Sequence, residues 1–379
     1  MKRLTVTLPL AAFTLVCLLF PLDDCLGQPQ ARPQPDLPID AAARKQVIDA
    51  VLKRLNDSYV FPEVARKMET SLRERAAKGE YDSVSSSQAF AEKLTADLQS
   101  VSKDKHLRVR YSHDTLPVRP ERGEPTPEER ERRRGELARM NHGFDKVERL
   151  PGNVGYMEFR GFFDEELGAE TVAAAMNFVG GTDSLIIDLR RNGGGNPAMV
   201  ALICSYLFGP EPVHLNSLYW REGDRTEEFW TRKELAGKRY LGKDVYVLTS
   251  NRTFSGAEEF AYNLKNLKRA TIVGETTGGG AHPGGGHRLS EHFMAFIPTG
   301  RAISPITKTN WEGTGVEPDV KVPADQALKT AHVAALRKGL NNVRDERQKR
   351  DMQDLIDSLQ KELTDAQSKP AGDAQARKN

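Results

Sequence analysis

Two apolar runs, each closed by a turn and each followed by helical spacing, constrain this chain most. Ser184-Leu185-Ile186-Ile187-Asp188-Leu189-Arg190 leads into Arg191-Asn192-Gly193-Gly194-Gly195-Asn196-Pro197, and residues 198–207 continue as a helix. Val245-Tyr246-Val247-Leu248-Thr249-Ser250 leads into Asn251-Arg252-Thr253-Phe254-Ser255, after which Ala257, Phe260, Ala261 and Leu264 recur on one helix face. A strand with no polar alternation is buried on both faces. Strands alternating with helices form a largely parallel sheet covered by those helices. Residues 155–159 and 270–273 read as further strands and 165–179 as a helix. The expected class is therefore α/β, with its sites in the loops at the carboxyl ends of the strands.

Ser255 occupies such a loop, at the handover from strand to helix. A hydroxyl there lies at the positive end of the helix dipole, beside backbone N–H groups that can hold an oxyanion. Ser255 and Glu258 also fit the capping pattern S-x-x-E, which needs no catalysis. The local sequence leaves both readings open.

The remaining chain is organised around this region. Residues 40–105 hold three amphipathic helices, the first with Asp40 as its expected N-cap; the break after it is Tyr59-Val60-Phe61-Pro62. In Lys105-His106-Leu107-Arg108-Val109-Arg110-Tyr111, apolar and basic residues alternate as in an edge strand, with His106 at its start. Residues 119–139 form a mixed-sign charged insertion with helical pairing, and 324–379 a charged helical extension with a low-hydrophobicity end expected to be disordered. The glycine-dense stretch 274–287 lacks the GK[ST] ending of a phosphate loop and reads as a flexible rim or tight hairpin. His282, His287 and His292 stand five apart, on neither one helix face nor one strand face, which argues against a zinc site.

The N-terminus carries Lys2 and Arg3, then a mostly apolar stretch broken by Pro9 and Pro21 and too short for a comfortable membrane span. It reads as a secretory signal over residues 1–27, with a flexible Pro-rich leader at 28–39, and implies a periplasmic or secreted protein with no membrane span after cleavage. Leu22-Asp23-Asp24 before Cys25 lacks the small residues of a lipidation site. Removal of this segment leaves Cys204 as the one cysteine, hence no internal disulfide and no cysteine metal cluster. Lys+Arg 55 against Asp+Glu 53 gives a net charge of +2, without the basic excess of a nucleic-acid binder.

Asp188-Leu189-Arg190-Arg191-Asn192-Gly193-Gly194-Gly195, Ser255-Gly256-Ala257-Glu258, Val273-Gly274-x-Thr276-Thr277-Gly278-Gly279 and Gly313-x-Gly315-Val316-Glu317-Pro318-Asp319-Val320 together resemble peptidase family S41, the tail-specific and C-terminal processing proteases and the tricorn core. The helical lead-in is similar to the branch containing interphotoreceptor retinoid-binding protein. The resemblance implies a crotonase/Clp-protease-like α/β core over residues 106–323 behind the N-terminal helical domain. It implies a serine peptidase acting on a peptide or protein substrate, with no cofactor and no metal.

Tail-specific relatives pair their serine with a lysine in a Gly-Lys-Gly segment, where this chain has Gly278-Gly279-Gly280. The resemblance instead points to the tricorn-like arrangement: Ser255 as nucleophile, His106 as base and Glu312 as its support, with Glu275 a rival for that last role. Lys105 stands where that branch has a second serine. Gly193, Gly194 and Gly256 are the implied oxyanion donors, with Asn192 fixing their loop. The spacer from Tyr111 to Pro151 is too short for the PDZ insertion of tail-specific relatives. The alternative is a non-catalytic module that binds a lipophilic ligand or peptide.

Overall fold

A computed structural model describes residues 34–118 and 126–368. The secretory signal, the first half of the leader, the first part of the charged insertion and the C-terminal end lie outside the described residues. Helices α1 (Ala41–Ser58), α2 (Pro62–Ala77) and α3 (Ser87–Ser102) lead into strand β1 (Arg108–Tyr111). Asp40 caps α1 by accepting the Ala43 N–H at 2.7 Å, as its position predicts. The charged insertion contains α4 (Pro127–Arg139), closed at its start by a reciprocal Thr126–Glu129 capping box, with Leu137 its one buried residue.

The core follows as β2 (Phe144–Leu150), β3 (Val154–Phe159), α5 (Glu165–Val179), β4 (Ser184–Asp188), α6 (Pro197–Ser205), β5 (His214–Trp220), β6 (Arg225–Trp230), β7 (Asp244–Thr249), α7 (Gly256–Asn266) and β8 (Thr271–Gly274). After it come β9 (Gly284–Arg288), β10 (Phe293–Pro298), β11 (Gly300–Ile303), β12 (Val320–Lys321), α8 (Ala327–Leu340) and α9 (Glu346–Ser368). The main sheet has the order β12-β8-β7-β4-β3-β2. All its pairs are parallel except β2 with β3.

The unbroken apolar strands are buried on both faces, as expected. Leu185, Ile187, Val245 and Val247 pack with α5, α6 and α7 on one side. Ile186, Tyr246 and Leu248 pack with Ala331 and Leu336 of α8 and Ile356 of α9 on the other. Each fully buried aliphatic side chain contributes about 1.5–3 kcal/mol, so this double-sided core fixes the register of β4 beside β7. The carboxyl ends of those two strands are then tied by side chains. The Ser250 hydroxyl donates to the Arg190 carbonyl at 2.6 Å, and the Thr253 hydroxyl to the Leu189 carbonyl at 2.8 Å.

A second core joins α1, α2 and α3 to a small antiparallel sheet of order β1-β10-β9, through Leu52, Phe90, Leu94, Val109, Phe293 and Ile297. The glycine-dense stretch therefore opens a hairpin, β9 to β10. The sequence pattern does not reveal β5 and β6, a charged hairpin that pairs with β11 in a third sheet. In β6 every residue is exposed or half-buried, so no apolar alternation marks it as a strand. Cys204 is buried and free. Among the described residues no helix is long and apolar enough to cross a membrane.

Candidate active site

Ser255 sits directly between β7 and α7 with φ 52° and ψ −121°. A non-glycine residue in this region carries about 1–3 kcal/mol of strain, tolerated where the surroundings over-determine it. Those surroundings are the tied ends of β4 and β7 on one side and Glu258 on the other. Glu258 accepts the Ser255 N–H at 2.9 Å, and the Ser255 side chain faces the Glu258 N–H to complete a reciprocal capping box. The serine turn is thus held at its backbone by Glu258, with the hydroxyl at the start of α7.

Glu258 does more than cap. It is fully buried and also accepts from the Thr277 hydroxyl at 2.5 Å, the Gly279 N–H at 2.6 Å and the Gly280 N–H at 2.8 Å. Burial pushes its pKa up to about 7, against these bonds, which favour the charged form. One carboxylate therefore links the serine turn to the glycine-rich stretch.

The loop after β4 closes against the serine turn. Asn192 is buried; its amide donates to the Phe159 carbonyl at 2.9 Å and its Oδ1 accepts the Gly194 N–H at 2.8 Å. Asn192 fixes the loop, as expected, but this occupies one of the anticipated oxyanion donors. The Gly193 N–H is directed to the Arg160 carbonyl at 3.4 Å. Gly193 and Gly194 therefore both donate within the protein. The N–H groups of Gly195 and Gly256 have no hydrogen bond among the described residues. They also lie close together, since a Cβ on Gly256 would fall 3.0 Å from the Gly195 nitrogen. Gly194 must be glycine: at φ +103° its Cβ would meet the Gly256 nitrogen at 2.6 Å and the Ser255 Cβ at 2.8 Å.

His106 arrives from the other core, just before β1. Its ring lies against Phe254, centroids 4.6 Å apart, and Phe296, 5.7 Å. Gly280 completes the enclosure, because a Cβ there would lie 2.7 Å from His106 Cε1. Burial lowers the His106 pKa to about 4, so the imidazole is neutral at pH 7. No hydrogen bond joins His106 to Ser255 among the described residues. The two meet through Phe254, the residue preceding the serine.

Glu312 stands beside His106. It accepts the Ala281 N–H at 2.5 Å and the Lys105 N–H at 3.5 Å. Glu275 is elsewhere, accepting from the Asn251 N–H at 3.2 Å and the Ala324 N–H at 3.1 Å. Lys105 sends its amine to the Gly278 carbonyl at 2.5 Å.

Two further groups complete this side. Asp104, 1% exposed, accepts the His106 backbone N–H at 3.0 Å and the Tyr59 hydroxyl at 3.1 Å. His282 Nδ1 lies 2.8 Å from Asp104 and 3.5 Å from Glu312. Burial opposes the charge on Asp104, yet the hydrogen bond and charge of His282 hold its carboxyl below the usual range. Burial and the neighbouring Asp104 charge push Glu312 up.

Two family models match this chain. Peptidase family S41 matches residues 153–322, and the N-terminal domain of Peptidase_S41 in eukaryotic IRBP matches residues 41–138. Similar solved structures include a Parabacteroides merdae protein described as a candidate peptidase, 16% identical, with a TM-score of 0.55 over 77% of this chain and 96% of that one. Another is a lipoprotein from Streptococcus agalactiae, 15% identical, with a TM-score of 0.52 over 80% and 98%. At these identities the likeness is one of fold.

Proposed function

We propose that this chain, which belongs to peptidase family S41, is a serine endopeptidase acting on peptides or proteins outside the cytoplasm. The observation that carries this reading is the serine turn itself: Ser255 at positive φ at the start of α7, with two unengaged N–H groups beside it. In this scheme Ser255 Oγ attacks the scissile carbonyl while neutral His106 takes its proton. The oxyanion is received by the N–H groups of Gly256 and Gly195. His106 returns the proton to the leaving amine, and water then hydrolyses the acyl-enzyme by the same route. Glu312 supports the imidazole. Asp104 positions it, by holding the His106 backbone. The secretory signal read from residues 1–27 supports the location.

One observation favours a second reading, a non-catalytic module that binds a lipophilic ligand: Ser255 and His106 are not hydrogen-bonded to each other. Such bonds often tighten only with substrate present. Labelling with a fluorophosphonate probe separates the two. The peptidase reading expects labelling of the wild type, none of Ser255→Ala and greatly slowed labelling of His106→Gln. An unlabelled wild type that retains its fold and takes up a fluorescent fatty acid would establish the alternative.

A further inference from the structure

Resting on His106 as the base, we propose that Asp104, His106 and Glu312 form an inhibitory site for a first-row divalent cation of the zinc class. One ligand atom from each of the three lies within 4.8 Å of the other two. Bonds of about 2.0–2.2 Å to nitrogen and oxygen place the ligands of a tetrahedral ion roughly 3.4 Å apart. Side-chain adjustments of about an ångström therefore close the three onto one ion. The set leaves a fourth position for water or substrate.

The supporting contacts have the character of an outer shell. Ligating carboxylates are themselves hydrogen-bonded in metal sites. Asp104 is held by the Tyr59 hydroxyl and His282 Nδ1, and Glu312 by the Ala281 N–H. His106 Nδ1 is buried with no hydrogen-bond partner, so that nitrogen forfeits no bond within the protein on binding. The imidazole argues against magnesium or calcium, and the absence of thiolate from the set against soft monovalent ions.

Inhibition follows from the chemistry of imidazole. A neutral ring has one lone pair in its plane and one N–H. A cation on the nitrogen facing the serine blocks it directly. A cation on the other nitrogen leaves the facing one protonated. Either way, no lone pair remains to take the Ser255 proton.

The test separates binding from hydrolysis. Ser255→Ala removes the nucleophile and keeps the cation ligands, so zinc uptake is measured on it by competition with a chromophoric chelator, and cobalt uptake by its visible absorption. Saturation at one ion per chain is expected, weakened roughly 10-fold or more by adding His282→Gln, an outer partner. Loss of binding is expected on adding His106→Gln or Asp104→Asn, with folding of each checked by circular dichroism. Wild-type hydrolysis should fall as zinc occupies the site and return with EDTA. Binding that is indifferent to His106→Gln and Asp104→Asn overturns the site, and hydrolysis that persists at saturating zinc overturns the inhibition. A wild type that binds zinc but hydrolyses nothing refutes the peptidase reading, and the inhibitory role with it, while leaving the cation site standing.

Discussion

Replacing Gly195 by alanine tests the assignment of the oxyanion donors. Gly195 lies at φ +137°, and a Cβ there would stand 2.0 Å from the Phe162 carbonyl oxygen and 2.7 Å from its carbon. That oxygen cannot simply withdraw. It accepts the Asn196 N–H at 2.6 Å, and the Phe162 N–H donates to the Gly194 carbonyl at 2.8 Å. Accommodating the methyl group means losing these two bonds, about 0.5–1.5 kcal/mol each, and adding backbone strain of about 1–3 kcal/mol. The expected destabilisation is therefore about 2–6 kcal/mol, read as a lower midpoint in urea with unchanged slope. The shift also moves the Gly195 N–H, and removing one oxyanion donor costs about 100- to 1,000-fold in kcat. Gly209→Ala is the control, because nothing lies within 4 Å of its Cβ. The assay is hydrolysis of a peptide substrate at a urea concentration of zero, where both variants remain folded. A Gly195→Ala protein that loses stability but keeps kcat within a few-fold refutes the donor assignment. One that loses neither refutes the turn geometry.

Three further outcomes follow from the same site. With the His106 pKa at about 4, kcat/KM measured in chelator should hold down to near pH 5 and fall below it, instead of failing near 6.5; an acid limb at 6.5 would show that the base is not this enclosed ring. Burial raises the Glu259 carboxyl from 4.5 to about 8, so the folded state binds the extra proton between those values. The stability it confers is complete below pH 4.5 and lost as pH rises through 8, and Glu259→Gln should raise the melting temperature relative to wild type at pH 9 but not at pH 5. Glu258→Gln presents an amide –NH2 to donors that now meet a carboxylate oxygen. Each donor left unpaired costs about 1–3 kcal/mol, partly offset by the relieved burial of charge, so the loss should appear as slower labelling by the fluorophosphonate probe more than as a lower melting temperature.

Contiguity decides what the sequence reveals here. Ser255 and Gly256 are legible because strand, turn and helix follow one another in the chain, and the double-sided burial of β4 and β7 follows from their unbroken apolar runs. Gly193, Gly194 and Gly195 are indistinguishable as letters. Their roles separate through the Arg160 carbonyl, the Asn192 side chain and the bridge to Phe162, which no local pattern encodes. Glu258 reads as a cap because Ser255 is three residues away, whereas its other donors lie at Thr277, Gly279 and Gly280. The partnership of Asp104 with His282 spans 178 residues. Asp104 looks like a turn residue after a helix, and His282 like one member of a histidine series that shares no face.

The long separation also says where this site is vulnerable. Ser255, its loop and Glu258 belong to the core around the parallel sheet. His106 and Asp104 belong to the core that packs α1, α2 and α3 against β1 and β10. His282 lies on the connection from β8 to β9, between the two, and Glu312 on the segment from β11 to β12 beside the first. Mutual placement of nucleophile and base is thus a property of docking between two cores. That docking is fixed by polar contacts as well as packing: Arg221, just past β5, donates to the Tyr59 carbonyl at 2.8 Å and the Asn56 carbonyl at 3.0 Å. Tyr59 in turn holds Asp104, which holds the backbone of His106. A small rotation of the helical lobe carries the base with it and leaves the serine turn, with its internal strain and its own N–H groups, unchanged. Where an active site is assembled this way, the nucleophile is set by local backbone geometry, whereas its contact with the base is set by the end of α1 and its grip on Arg221.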